Sequence, residues 1–142
     1  MAALLFDFNG TLSDDEALQC AIFRELFAEH GRPPSEKEYF EELAGLSDPE
    51  IVERWLGAGH PAADEMLEAR VLRYRERAGD GSTVPAHVRE AVLRAAGRVP
   101  LGVVSGAVRT EVETVLKSAS LDVFNVIVSA DEALRCRERV IV

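Results

Sequence analysis

From Pro85 onward the apolar pattern alternates: Pro85–Ala96 reads as a helix, Leu101–Val104 as a strand, Val108–Ala119 as a helix and Val123–Val128 as a strand. That alternation leaves little choice of architecture, because strands joined through helices close as a parallel sheet with the helices packed on it. Val108, Val112, Val115 and Ala119 recur on one helical face and supply the stripe that would lie on the sheet. A further apolar run, Ala2–Phe8, is apolar at nearly every position, as a strand covered on both faces would be, and reads as a central strand of the same sheet.

The stretch between these strands carries a helical period. Leu18, Ile22 and Leu26 recur every four residues within Asp14–His30, and Gly31, Pro33 and Pro34 stop the helix. Ser35-Glu36-Lys37-Glu38 and Ser47-Asp48-Pro49-Glu50 are capping-box patterns, opening short amphipathic segments that end near Gly45 and Gly57. A fourth helix over 62–78 places Leu67, Val71, Tyr74 and Ala78 on one face, with the arginines from Arg70 to Arg77 mostly outside it as a solvated face. Phe40 and Trp55 read as core of this helical block, and Gly79-Asp80-Gly81-Ser82 as a linker. The expected fold is α/β: an incomplete doubly wound parallel sheet formed by 1–13 and 80–142, with an α-helical cap inserted over 14–79.

With 142 residues, one compact unit plus an insertion is the ceiling. The net charge of -9 is uneven, since residues 1–65 hold 15 acids and 4 bases. Such an acidic first half repels a nucleic-acid backbone, which argues against that partner. Cys20 and Cys136 match no zinc or redox spacing, and His30, His60 and His87 share no ligand spacing. No leader and no run of membrane-spanning length is visible, so a cytoplasmic protein is expected.

Ligands in open parallel sheets sit beyond the carboxyl ends of the strands, where two polar clusters fall: Asp7–Thr11 and Ser105-Gly106. Phosphoryl transfer through a covalent intermediate needs a fixed carboxylate and donors for the phosphate oxygens. Asp7 could be the carboxylate. Gly10 would let the backbone turn close to a phosphate, and Thr11 and Ser105 would add hydroxyls. Taken singly, each residue has a plainer reading: Asn9-Gly10 a hairpin turn, Asp7 a local cap, Ser105 the N-cap of the next helix.

Taken together, Phe6-Asp7-Phe8-Asn9-Gly10-Thr11-Leu12 resembles the first motif, D-x-D-G-T-L, of the haloacid dehalogenase (HAD) superfamily, and Val103-Val104-Ser105-Gly106 resembles the second. The helical block between them resembles the branch with a helical cap after the first strand, and Val126–Glu132 is similar to the segment preceding the third motif in phosphoglucomutase-like and phosphoglycolate-phosphatase-like members. The resemblance implies attack by Asp7 on phosphorus to form an aspartyl-phosphate, with Mg2+ held by the Asp7 carboxylate and the backbone carbonyl of Asn9. It also implies that Thr11, Ser105, Gly106 and nearby N–H groups orient the phosphate of a small phosphorylated metabolite. A cap would close over the substrate, with Ala44–Ser47 at its contact. The sequence departs from the family at Asn9, where a second acid is usual, and after Glu132, where Arg137 falls near the place of a lysine and no further acidic motif follows. Truncation or a frame change near 132–136 would account for this. Two other readings follow: a catalytically inactive domain that only binds phosphate or a partner, and a metal-independent 2-haloacid dehalogenase.

Overall fold

The computed structural model describes residues 2–132. Its elements run β1 (Leu4–Phe6), α1 (Glu16–Glu29), α2 (Glu36–Glu38) continuing into a π-helical turn (Tyr39–Leu43), α3 (Asp48–Leu56), α4 (Ala63–Ala78), α5 (Ala86–Ala96), β2 (Leu101–Val104), α6 (Arg109–Ser118) and β3 (Val126–Val128). The chain divides into two compact units, one of residues 1–15 with 77–142 and one of residues 16–76.

The first unit is α/β, as the alternation predicts. Its three strands are all parallel in the order β1-β2-β3, with Phe6 opposite Val103 and Val103 opposite Ile127. Alternation along the strands gives the sheet two faces. Leu101 and Val103 lie on the face where α5 and α6 pack and are 1% and 0% exposed. Both crossovers step the same way across the sheet, and right-handed connections therefore put both helices on one side. Leu5, Val104, Val126 and Val128 lie on the other face and are 66%, 48%, 50% and 37% exposed. Gly102 sits between Leu5 and Val126 because a Cβ there would approach Leu5 Cδ2 to 2.7 Å.

The first strand reads as central from its apolar run, and as an edge where the neighbour that the family's sheet order sets beside it is lacking. Among the described residues it is an edge, and its side chains are exposed or half-buried. An apolar run records that a strand can be covered on both faces; it carries no record of which neighbour covers it. The third strand is also shorter than expected, beginning at Val126 rather than Val123.

The helical unit is held by an aromatic cluster. Phe23 stacks on Phe27 at 5.9 Å and on Tyr39 at 6.2 Å, and Phe27 meets Trp55 at 6.1 Å. Trp55 donates its indole N–H to the Arg32 carbonyl at 2.6 Å, while the Arg32 guanidinium lies 4.7 Å over the Trp55 ring. Phe40 is not core: it is 41% exposed, and Tyr39 at 4% takes the inner position. The wide turn closed by the Ala44 N–H on the Tyr39 carbonyl keeps Tyr39 and Leu43 inside and leaves Phe40 outside. Both capping boxes form. Ser35 Oγ accepts from the Glu38 N–H at 3.1 Å and the Glu38 carboxylate accepts from the Ser35 N–H at 2.7 Å. The Glu50 carboxylate accepts from both the N–H and the hydroxyl of Ser47, at 2.8 Å and 2.7 Å.

The buried stripe of α4 is Met66, Arg70, Tyr74 and Ala78: Tyr74 and Ala78 are inside as expected, Met66 and Arg70 take the places expected for Leu67 and Val71, and Arg70 is therefore not part of a solvated face. It is 2% exposed, pairs with Asp48 at 3.1 Å, donates to Gln19 Oε1 at 3.0 Å and lies 5.0 Å over the Tyr74 ring. Burial pushes the Asp48 carboxyl pKa up, and Arg70 offsets part of that rise. Removing the cation takes the ion-pair partner from the partly buried Asp48 carboxylate, so Arg70→Leu is expected to cost about 2–3 kcal/mol of stability. Urea unfolding of the variant measures this, and an unchanged midpoint would show that the cluster holds nothing together.

Candidate active site

Asp7 and Ser105 each lie one residue beyond the end of a strand, and those strands are adjacent. The pairing of Phe6 with Val103 and of Val104 with Val128 brings Asp7, Ser105 and Ser129 to the same end of the sheet. The two clusters singled out in the sequence are thus neighbours, at the carboxyl edge where open parallel sheets bind ligands.

Asp7 is exposed, and its Oδ1 accepts from the Phe8 N–H at 2.7 Å, which fixes the carboxylate against its own backbone. After it the chain folds into a tight loop around the buried Phe8. The Phe8 carbonyl accepts from the N–H groups of Thr11, Leu12 and Ser13, at 3.2, 3.0 and 3.0 Å. Gly10 has a φ of 76°, which only glycine adopts without strain, and donates its N–H to the Ser13 carbonyl at 2.8 Å. This is no hairpin, because α1 follows instead of a second strand. The loop's N–H groups from Gly10 to Ser13 are spent on its own carbonyls, and the exposed Thr11 adds a hydroxyl to the loop.

Asn9 is half-buried and donates its side-chain Nδ2 to Asp15 Oδ2 at 2.8 Å. Asp15 is 1% exposed. Read as sequence, it belongs to an acidic run favourable to a helix N-terminus, and nothing in its spacing from Asn9 marks the pair. The loop is further tied to residue 83: Ser13 Oγ donates to Thr83 Oγ1 and the Asp14 N–H to the Thr83 carbonyl, both at 2.7 Å.

Ser105 is 9% exposed, and its Oγ accepts from the Ala107 N–H at 3.1 Å. It does not cap α6, whose N-cap is Val108. A hydroxyl that accepts one bond keeps its proton to donate. The space beside Gly106 is open, with nothing within 4 Å of where a Cβ would lie.

A charged knot closes the third loop. Arg109, the first residue of α6, donates to Glu132, to Glu113 at 3.0 Å and to the Ile127 carbonyl at 2.6 Å. The other Glu132 oxygen accepts from the Ser129 N–H at 2.7 Å and hydroxyl at 2.5 Å. The Ser129 hydroxyl, Arg109 and the Ser129 N–H, in that order, pull the Glu132 carboxyl pKa from 4.5 down to about 2. A depressed pKa contributes stability that is complete above the unfolded value of 4.5 and is lost as the pH falls through the folded value of about 2. Glu132→Gln is therefore expected to lower stability at neutral pH and to flatten the decline of the unfolding midpoint in that acid window. An acid limb identical to that of the unsubstituted chain would count against the knot. Arg137 and Cys136 lie outside the described residues.

Among the described residues no group of three or more His, Cys, Asp or Glu is placed to hold a metal ion, and no helix is long and apolar enough to cross a membrane. The family model for haloacid dehalogenase-like hydrolases matches residues 4–137. CbbY from Rhodobacter sphaeroides, solved as a mutant in complex with xylulose-(1,5)bisphosphate, is 26% identical with a TM-score of 0.71, over 89% of this chain and 62% of that one. A haloacid dehalogenase-like protein from Streptococcus pneumoniae shares the fold at 15% identity and a TM-score of 0.73, over 97% of this chain and 70% of that one. A subfamily IA hydrolase from Geobacter sulfurreducens does so at 20% identity and 0.59, over 92% and 63%. The chain spans about three fifths of the first solved structures it matches, 60%, 62% and 63% of their lengths. No functionally curated protein matches the chain.

Proposed function

Because the chain belongs to the haloacid dehalogenase-like hydrolase family, we propose that it is built to transfer the phosphoryl group of a small phosphorylated metabolite to Asp7. The observation that carries this reading is the adjacency of Asp7 and Ser105 beyond the ends of paired parallel strands. A carboxylate oxygen of Asp7 attacks phosphorus, the bond from phosphorus to the ester oxygen breaks, and that oxygen leaves with a proton from solvent. Water then cleaves the acyl phosphate and releases inorganic phosphate. Thr11 and Ser105 hydroxyls orient the phosphate oxygens, with Gly106 leaving the backbone open to them. The bisphosphorylated sugar bound by CbbY supports a phosphorylated substrate.

Mg2+ fits the donor chemistry available. The Asp7 carboxylate and the Asn9 backbone carbonyl are hard oxygens, and Mg2+ needs only one or two carboxylates when phosphate and water fill its other positions. When bound it would offset the charge that develops on the phosphoryl oxygens. The helical unit is assigned the role of cap, with Ala44–Ser47 as its contact with substrate, and the whole is read as an intracellular enzyme. The test is phosphate release from p-nitrophenyl phosphate by the purified 142-residue chain. Release that stops on chelation of Mg2+ is expected, and release indifferent to chelation would overturn the metal assignment.

One observation favours a second reading. Asn9 stands where a general acid would serve, and its amide is engaged with the buried Asp15 at 2.8 Å. An amide neither gives nor takes a catalytic proton, so the chain would hold phosphate without turning it over. Binding of orthovanadate together with no release of phosphate would select this reading over the first.

A further inference from the structure

Across the loop that follows Asp7, Asn9 donates its side-chain Nδ2 to Oδ2 of the buried Asp15 at 2.8 Å. We infer that Asp15 is a positioning residue for Asn9: its carboxylate holds the amide in one of two flips and leaves the acceptor Oδ1, rather than the donor, as the end facing away from it. The inference rests on the phosphate site assigned above and names what Asn9 does there.

The chemistry of the pair allows one arrangement. The two ends of a side-chain amide are alike in size and differ in hydrogen bonding, Nδ2 offering two protons and Oδ1 two lone pairs. A carboxylate offers lone pairs alone. With Nδ2 toward Asp15 the bond is charge-assisted, about twice as strong as a neutral one. Turned over, the amide would set Oδ1 against Oδ2 with no proton between them, in a place closed to solvent. The second Nδ2 proton stays on a nitrogen already drawn to Asp15, so the opposite end of the amide is Oδ1.

Closure of the loop does not need this pair. The backbone is already shut by the Gly10 N–H on the Ser13 carbonyl, by three donors on the Phe8 carbonyl and by the Asp14 N–H on the Thr83 carbonyl. Those bonds carry Asn9 and Asp15 on a fixed frame, and what the pair adds is the orientation of a side chain. It also places the charge. The negative member is buried, while the member that keeps surface open to an occupant is neutral. An oxyanion beside Asp7 thus meets an uncharged acceptor at position 9. The group suited to Oδ1 is a hydroxyl, a water or Mg2+ with its waters, and a bare phosphoryl oxygen is not.

The test has two arms, both on the full 142-residue chain. The sequence holds three side-chain amides, those of Asn9, Gln19 and Asn125, so the Asn9 signal is the one lost in Asn9→Asp. Without any ligand, an NMR correlation through the hydrogen bond is expected between the Asn9 side-chain nitrogen and the Asp15 carboxyl carbon. The Nδ2 protons of Asn9 should also exchange at least tenfold more slowly than those of the exposed Asn125, which uses its Oδ1 to accept from the Leu101 N–H. No correlation together with exchange as fast as that of Asn125 would overturn the inference.

The second arm is the affinity for orthovanadate. Asp15→Asn lets the Asn9 amide turn over, because its partner can then give a proton as well as accept one, and turns a donor toward the anion. Binding is expected to tighten at least fivefold. In an Asn9→Ala background only the lost charge of Asp15 acts, and the gain should shrink to less than twofold. A gain of equal size with and without the Asn9 amide would reduce Asp15 to a nearby charge and overturn the inference. Orthovanadate binding to none of these chains would remove the phosphate site and this role with it, whereas a failure of the first arm, which needs no ligand, would remove the role alone.

Discussion

Asp7→Asn is expected to abolish Mg2+-dependent phosphate release, lowering the rate by at least ~10³-fold, because the amide nitrogen that replaces a carboxylate oxygen is no nucleophile and binds Mg2+ poorly. The exchange preserves shape. Asp7 is exposed and makes one bond to the Phe8 N–H, which the amide oxygen can still accept, so the unfolding midpoint should not move. A loss of rate with unchanged stability therefore isolates chemistry from folding. Retention of even a tenth of the rate in the variant would remove Asp7 as nucleophile. Halide release from a 2-haloacid without Mg2+ would keep Asp7 but change the reaction.

Gly81→Ala is expected to cost about 2–4 kcal/mol of stability, from a left-handed backbone and a direct backbone clash together. Gly81 has a φ of 80°, and a Cβ there would lie 2.6 Å from the Ala119 N and 2.8 Å from the Ser118 carbonyl carbon. Neither is a flexible side-chain tip that could swing away. The Gly81 N–H donates to the Ala78 carbonyl and its own carbonyl accepts from Val84, so the turn is held on both sides as it passes the end of α6. Chemical denaturation measures the cost, and a loss under ~0.5 kcal/mol would mean that the turn moves aside freely.

Gly81 also shows where the sequence stops being legible. Read in place, Gly79-Asp80-Gly81-Ser82 has the composition of a linker, and turn composition reports only local freedom. Its contact with Ala119 comes from a residue 38 positions away in the chain. Arg70 fails in the same way, since its partners Gln19 and Asp48 lie on other helices and an arginine in a row of arginines gives no sign of burial. Features set by near neighbours are legible. The capping boxes at Ser35 and Ser47 depend on residues three apart, and both form; Leu101–Val104 is a strand over the expected span. Asp7, Asn9, Gly10, Thr11, Ser105 and Gly106 could be chosen as candidates because motif positions are local. Their assembly could only be inferred, through the rule that places ligands at the carboxyl ends of parallel strands. The partner of Asn9, the buried Asp15, left no mark at all.

The Phe8 carbonyl, with its donors from Thr11, Leu12 and Ser13, bears on how the loop after Asp7 responds to an incoming anion. A carbonyl oxygen has two lone pairs, which three donors must share, so the loss of one donor leaves the other two to take them up and the turn stays closed. An oxyanion that draws on the Thr11 hydroxyl leaves all three bonds in place, whereas one that needs a backbone N–H of Thr11, Leu12 or Ser13 has to compete with the Phe8 carbonyl for it.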